Sequence, residues 1–167
     1  MEVQLLSKKY IVKKLKDEDI SSIFSLCKEN KTYYKYCPPM VSEQSIKEDM
    51  LALPKHKTLD DKYFVGFYDE DKLIAIMDLI TNYPNKKTCF IGLLMLDVTR
   101  QNKGIGSLIV DDIKTYLKEL NYKYIRLAWI KDNKQAEYFW KKNGFVEIKE
   151  TKDQSKHIVI EEIYNIE

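Results

Sequence analysis

The feature that most constrains this chain is a β-rich run, Thr88 to Val98, that passes through a glycine-bearing loop into a long amphipathic segment. There Ile105, Leu108, Ile109, Ile113, Tyr116, Leu117 and Leu120 recur with helical period, while Asp111, Lys114 and Lys118 mark the opposite face. The pattern predicts a helix buried along one side. Tyr124 to Ile130, directly after it, reads as a further strand. A strand, helix, strand succession calls for a sheet with helices laid on its faces.

The flanking segments extend that scheme. Tyr10 to Leu15 reads as a strand, and Asp17 is the expected N-cap of a helix carrying Ile20, Ile23, Phe24 and Cys27 on one face. Lys31 to Met40, with its tyrosines and the Cys37-Pro38-Pro39 break, is expected to be a loop of unusual aromatic content. Ser42 is placed to cap a short helix containing Ile46, Met50 and Leu51. Lys62 to Tyr68, Leu73 to Ile80 and Thr88 to Val98 then form three strands of an antiparallel meander, with Asp69 to Lys72 and Asn82 to Asn85 as turns. Downstream, Asn133 caps a helix that stops at Asn143-Gly144. Phe145 to Glu150 and His157 to Tyr164 follow as strands joined by a polar turn. The expected fold is α/β (α+β): one domain over residues 1–167, with a mixed, largely antiparallel central sheet flanked by helices.

Charge and cysteine usage exclude several classes. Lys and Arg number 28 against 26 Asp and Glu, interspersed, so no basic stripe offers itself to a nucleic-acid backbone. The start, Met1-Glu2-Val3-Gln4, is unlike a secretion signal, and no apolar run approaches the roughly 18 residues that span a membrane. A cytoplasmic location is expected. Cys27, Cys37 and Cys89 are odd in number and widely spaced, which fits reduced thiols and neither a disulfide framework nor a metal site. No metal is expected, and His56 and His157 read as surface or loop residues.

Chemistry concentrates in Leu94 to Ser107. A helix N-terminus presents unpaired N–H groups and a partial positive charge, and glycines allow an anion to approach the backbone closely. Gly104 and Gly106 therefore suggest a diphosphate site, although such glycines also serve simply to turn a chain. A dinucleotide fingerprint would need a third glycine where Ile109 stands. A P-loop would end in Gly-Lys-Ser/Thr, but Lys103 precedes the glycine here.

Gln101-Asn102-Lys103-Gly104-Ile105-Gly106 resembles the Gln/Arg-x-x-Gly-x-Gly/Ala motif of the GNAT acetyltransferases. Asn133-Lys134-Gln135-Ala136-Glu137-Tyr138-Phe139-Trp140-Lys141-Lys142-Asn143-Gly144-Phe145 is similar to that family's second signature, Asn-x-x-Ala-x-x-Phe-Tyr-x-x-x-Gly-Phe. The resemblance implies acetyl-CoA as cosubstrate and a cleft between splayed central strands. It implies that the backbone of Leu94, Met95 and Leu96 pairs with the pantetheine arm, while amides of Gln101, Asn102, Lys103, Gly104, Ile105, Gly106 and Ser107 cradle the diphosphate. Asn133 would contact pantetheine or cap its helix, and Ala136 suits close packing beside the cofactor.

Trp140 departs from the signature, because many members carry there a tyrosine that protonates the departing thiolate. Tryptophan cannot transfer that proton, so Trp140 is expected to be an aromatic wall of the channel. Tyr138 is expected to face away from it, being two positions distant on the helix. Asp78, inside an apolar strand, is a candidate to bind the amine or take its proton, or else it faces solvent or pairs with a lysine. Tyr33, Tyr34 and Tyr36 are candidates for an acceptor pocket, or ordinary loop packing. The expected activity is direct attack of an unidentified amine on the thioester; a coenzyme A-binding sensor without turnover is the alternative. The oligomeric state is left open between monomer and homodimer.

Overall fold

A computed structural model describes residues 1–153 and 157–166. Strand β1 (Ile11–Lys14) leads through a single 3-10 turn into α1 (Ile20–Cys27), α2 (Lys31–Tyr36) and α3 (Glu43–Leu51). Strands β2 (Lys62–Asp69), β3 (Lys72–Ile80) and β4 (Thr88–Leu96) form the meander. Helix α4 (Ile105–Glu119), β5 (Tyr124–Ile130), α5 (Lys134–Lys142), β6 (Val146–Lys152) and β7 (Ile158–Asn165) complete the chain. Residues 154–156, in the polar turn between the last two strands, lie outside the described residues.

The seven strands form one sheet in the order β1-β2-β3-β4-β5-β7-β6. Every neighbouring pair is antiparallel except β4 and β5. That pair is parallel because α4 carries the chain back across the sheet before β5 begins. Side chains alternate between the two faces, so neighbours such as Phe64 and Val65, or Ile76 and Met77, enter different cores. One core joins Phe67, Met77, Ile91 and Leu127 to Ile109, Ile113 and Leu117 of α4 and Trp140 of α5. The other joins Phe64, Ile76 and Met95 to Ile20 and Ile23 of α1 and Ile46 of α3. Each fully buried side chain of this kind contributes roughly 1.5–3 kcal/mol.

The mixed, largely antiparallel sheet flanked by helices is the expected fold, with strand ends displaced by a residue or two. Two local expectations are corrected. Asp17 does not cap α1; it begins a 3-10 turn, Asp17–Asp19, which Asp19 closes by accepting the Lys16 N–H at 2.8 Å. Lys31–Tyr36 is a helix and not a loop, and it stops at Cys37, whose N–H reaches Tyr33 O at 3.0 Å before Pro38. Ser42 does cap α3: its Oγ accepts the Ser45 N–H, and Ser45 Oγ accepts the Ser42 N–H, both at 3.0 Å.

Candidate functional site

Strands β4 and β5 part company halfway along. They pair only from Thr88–Tyr124 to Ile91–Leu127; beyond that point β4 stays with β3, and β5 with β7. The fork starts at a bulge, since Ile91 pairs with Leu79 and Leu93 with Asp78, leaving Gly92 unmatched. A Cβ at Gly92 would lie 2.9 Å from Asp78 Oδ2, so a side chain there would have to displace the Asp78 carboxylate from its place on Lys62. A lone glycine within a strand is a bulge signal that the sequence reading passed over.

The Asp97 N–H donates to Ile74 O on β3 at 2.9 Å. Backbone direction alternates along the strand, so Met95 also turns its main chain to β3, while Leu94 and Leu96 turn theirs to the open fork. Met95 lines the cleft without offering its backbone. Of the groups at this edge, the Leu96 carbonyl is already occupied, by Asn30 Nδ2 at 3.0 Å and Gln101 Nε2 at 3.3 Å.

At the end of β4 the chain turns through Asn102 (φ 57°) and Gly104 (φ 77°) into α4. No side chain caps this helix, and its first bond runs from Leu108 N–H to Gly104 O, so the N–H groups of Ile105, Gly106 and Ser107 have no intrahelical acceptor. The two glycines do different things. Gly104 supplies the left-handed turn and faces open space, whereas a Cβ at Gly106 would meet the Phe139 ring at 2.9 and 3.1 Å. Close approach of α5 to the first turn of α4 thus also requires a glycine at 106.

Fork, turn and α5 enclose a cleft of about 380 Å³. All the expected cofactor residues line it except Lys103 and Ile105; the Lys103 ammonium instead reaches back to Thr99 O at 2.8 Å. Asn133 caps α5, its Oδ1 accepting the Ala136 N–H at 3.2 Å, and also lines the cleft. Trp140 is buried edge-to-face against Phe139 (4.8 Å) and Phe145 (5.2 Å), an aromatic wall with no proton to give. Tyr138 is 70% exposed and reaches the cleft only at its rim, with Gln135 and Lys142 along the same helical stripe.

On the acceptor side the expected residues separate. Tyr33 lines the cleft; Tyr34 stacks edge-on to it at 5.0 Å, and Tyr36 stands apart beneath Lys35. Burial pushes the phenols of Tyr33 and Tyr34 up, so both keep their protons near neutral pH. Asp78 is not among the lining residues. Its Oδ2 accepts from Lys62 Nζ at 2.7 Å, and that ammonium, 2% exposed, also donates to Ala52 O at 3.0 Å. Asp78 Oδ1 is buried without a hydrogen-bond partner among the described residues. Burial pushes the Asp78 carboxyl above its ordinary range while Lys62 pulls it down; Asp49 of α3 is also moved upward, by desolvation and by the nearby Asp78 and Glu48 charges, against Lys62. Asn30, Lys62 and Gln135 carry no such local signal in the sequence, because only the fold brings them to this place.

Residues 18–145 match the model of the acetyltransferase (GNAT) family. The chain belongs to the GNAT family. No curated protein matches it in sequence. Among solved structures, an acetyltransferase from Thermus thermophilus superposes with a TM-score of 0.78 at 13% identity, covering 99% of each chain. The spermidine N-acetyltransferase SpeG from Vibrio cholerae gives 0.68 at 18% identity, covering 96% of this chain and 95% of its own. The PaiA N-acetyltransferase from Thermoplasma acidophilum, in complex with coenzyme A, gives 0.65 at 21% identity, covering 93% and 99%. At these identities the likeness establishes the GNAT fold alone. Among the described residues no helix is long and apolar enough to cross a membrane, and no group of three or more His, Cys, Asp or Glu gathers to hold a metal.

Proposed function

We propose that this GNAT protein is an acetyl-CoA-dependent N-acetyltransferase acting on a primary amine of a small molecule or peptide. The observation that carries the proposal is the open β4 edge, with its Leu94 and Leu96 N–H groups, running into the unclaimed amides of Ile105, Gly106 and Ser107. An edge of unpaired backbone suits the amides of a pantetheine arm, and a helix N-terminus suits a diphosphate. Acetyl-CoA supplies an activated acyl carbon with a thiolate leaving group. Leu94 and Leu96 hold the arm, Gln101 through Ser107 hold the diphosphate, and Asn133, Ala136 and Trp140 pack the opposite wall.

The amine nitrogen attacks the thioester carbonyl carbon, the carbon–sulfur bond breaks, and the nitrogen sheds its extra proton. Backbone N–H groups at the fork stabilise the developing oxyanion. Asp78, which lies outside the cleft lining, takes the ammonium proton through water from its place beside the Gly92 bulge. Tyr33 borders the acceptor end of the cleft as the candidate substrate contact, with Tyr34 packed edge-on behind it. The three cysteines are unpaired, which supports a reducing, cytoplasmic setting.

Trp140 favours one second reading, a coenzyme A-binding sensor without turnover. An acceptor screen that detects coenzyme A thiol separates the two. Thiol release with an amine supports the enzyme, and tight acetyl-CoA binding with no release from any amine class supports the sensor. Absence of binding at millimolar acetyl-CoA rules out both.

A further inference from the structure

Asn30, between α1 and α2, is 7% exposed, and its amide is engaged three times. Nδ2 donates to Leu26 O and to Leu96 O, both at 3.0 Å, and Oδ1 accepts from Gln101 Nε2 at 2.8 Å. Gln101 Oε1 in turn accepts from Gln135 Nε2 at 3.1 Å. A chain of three amides thus runs from the end of α1, past the turn that opens α4, to the first turn of α5. These are the walls of one cleft.

The effect of this chain falls on Leu96. A carbonyl oxygen has two lone pairs, and two amide donors already lie on this one. The free edge of β4 therefore offers the Leu94 N–H and C=O and the Leu96 N–H, but no second acceptor. An arm carrying more than one amide, laid on an unblocked edge, has alternative registers, as any strand does. The geometry points to Asn30 as a positioning residue that fixes the hydrogen-bond polarity of the β4 edge, so that a bound pantetheine arm meets Leu96 with a carbonyl and not with an N–H. This rests on the cofactor reading above.

The residue types follow from the same chemistry. Asn30 must donate twice and accept once, which neither aspartate nor leucine can do. Gln101 must donate to Asn30 and accept from Gln135, and arginine, the family's other choice at that motif position, has no acceptor.

The test uses coenzyme A as the probe. Its dissociation constant is measured by calorimetry, at a temperature where all proteins are folded, for wild type, Asn30→Ala and Ile23→Val. Ile23 lies in the core beneath α1, does not line the cleft, and controls for simple loosening of that helix. Asn30→Ala is expected to weaken binding by about tenfold or more, and Ile23→Val by less than about threefold. In carbonyl-labelled protein, the Leu96 ¹³C resonance should respond to coenzyme A in Asn30→Ala, where only the 3.3 Å Gln101 contact is left on the oxygen, and stay still in wild type. If Asn30→Ala does not fold, Gln101→Ala removes the second donor and carries the same comparison. Wild-type affinity in the folded variant, with a silent Leu96 carbonyl, overturns the role of Asn30 alone. Failure of the wild type to bind coenzyme A overturns the cofactor reading and this inference together.

Discussion

Replacing Gly106 by alanine drives a Cβ to within 2.9 and 3.1 Å of two Phe139 ring carbons and 3.6 Å of Leu96 Cδ2. The ring has to retreat by several tenths of an ångström, but Trp140 stands edge-on to it at 4.8 Å, backed by Phe145. Overpacking of this kind costs about 1–3 kcal/mol, and alanine regains up to about 1 kcal/mol over glycine as a helix former, which leaves a net loss of about 0–2 kcal/mol. In a chain of this length that is roughly 0–8 °C in melting temperature, at about 2–4 °C per kcal/mol. Coenzyme A affinity should fall as well, because Phe139 lines the cleft and Gly106 opens it. The decisive assay is a double-mutant cycle with Phe139→Leu, followed by thermal melting and calorimetry. If the ring is the obstacle, the two substitutions couple by about 0.5–3 kcal/mol and the double variant recovers stability. Additive effects, with affinity unchanged in Gly106→Ala, would refute the reasoning and remove the packing requirement for a glycine at 106.

Asp78→Asn keeps the shape and removes the charge, so turnover with an identified acceptor should drop far more than acetyl-CoA affinity; wild-type kinetics would assign the carboxylate to its pairing with Lys62. Tyr138→Phe should leave turnover within about threefold, well short of the 10²–10⁴-fold effect of a positioned acid. Trp140→Phe should raise the acetyl-CoA KM more than it lowers kcat, as expected of a packing wall. Glu162 on β7 is fully buried, neither carboxylate oxygen has a hydrogen-bond partner among the described residues, and burial holds its carboxyl above the ordinary 4.5. Ionising it in the folded state therefore costs stability as pH rises through 4.5 toward the raised value. Glu162→Gln should melt above wild type near neutral pH by on the order of 1 kcal/mol, about 2–4 °C, with the gap closing below pH 4.5. A gap independent of pH would contradict that account.

Much of the architecture is legible because its signals are local. The long period of α4, the alternation of the meander and the caps at Ser42 and Asn133 each lie within a few residues of what they specify. Both signatures are local too, which is why the residues that line the cleft between Leu94 and Trp140 are readable. Helix α2 was not, since six residues hardly display a period and its tyrosines resemble loop packing. The remaining residues of the site depend on distant partners. Asn30 meets Leu96 across 66 positions and Gln101 across 71, and Lys62 meets Asp78 only through the register of β2 on β3. No periodicity in the sequence carries such pairings.

Amide chemical-shift mapping of ¹⁵N-labelled protein during titration with acetyl-CoA tests the placement of the cofactor most directly. The account predicts saturable shifts concentrated at Leu94, Leu96, Ile105, Gly106 and Ser107, with no metal added. It is contradicted if millimolar acetyl-CoA shifts nothing, or if the shifts gather instead around the separate groove of Lys114, Lys118 and Tyr164.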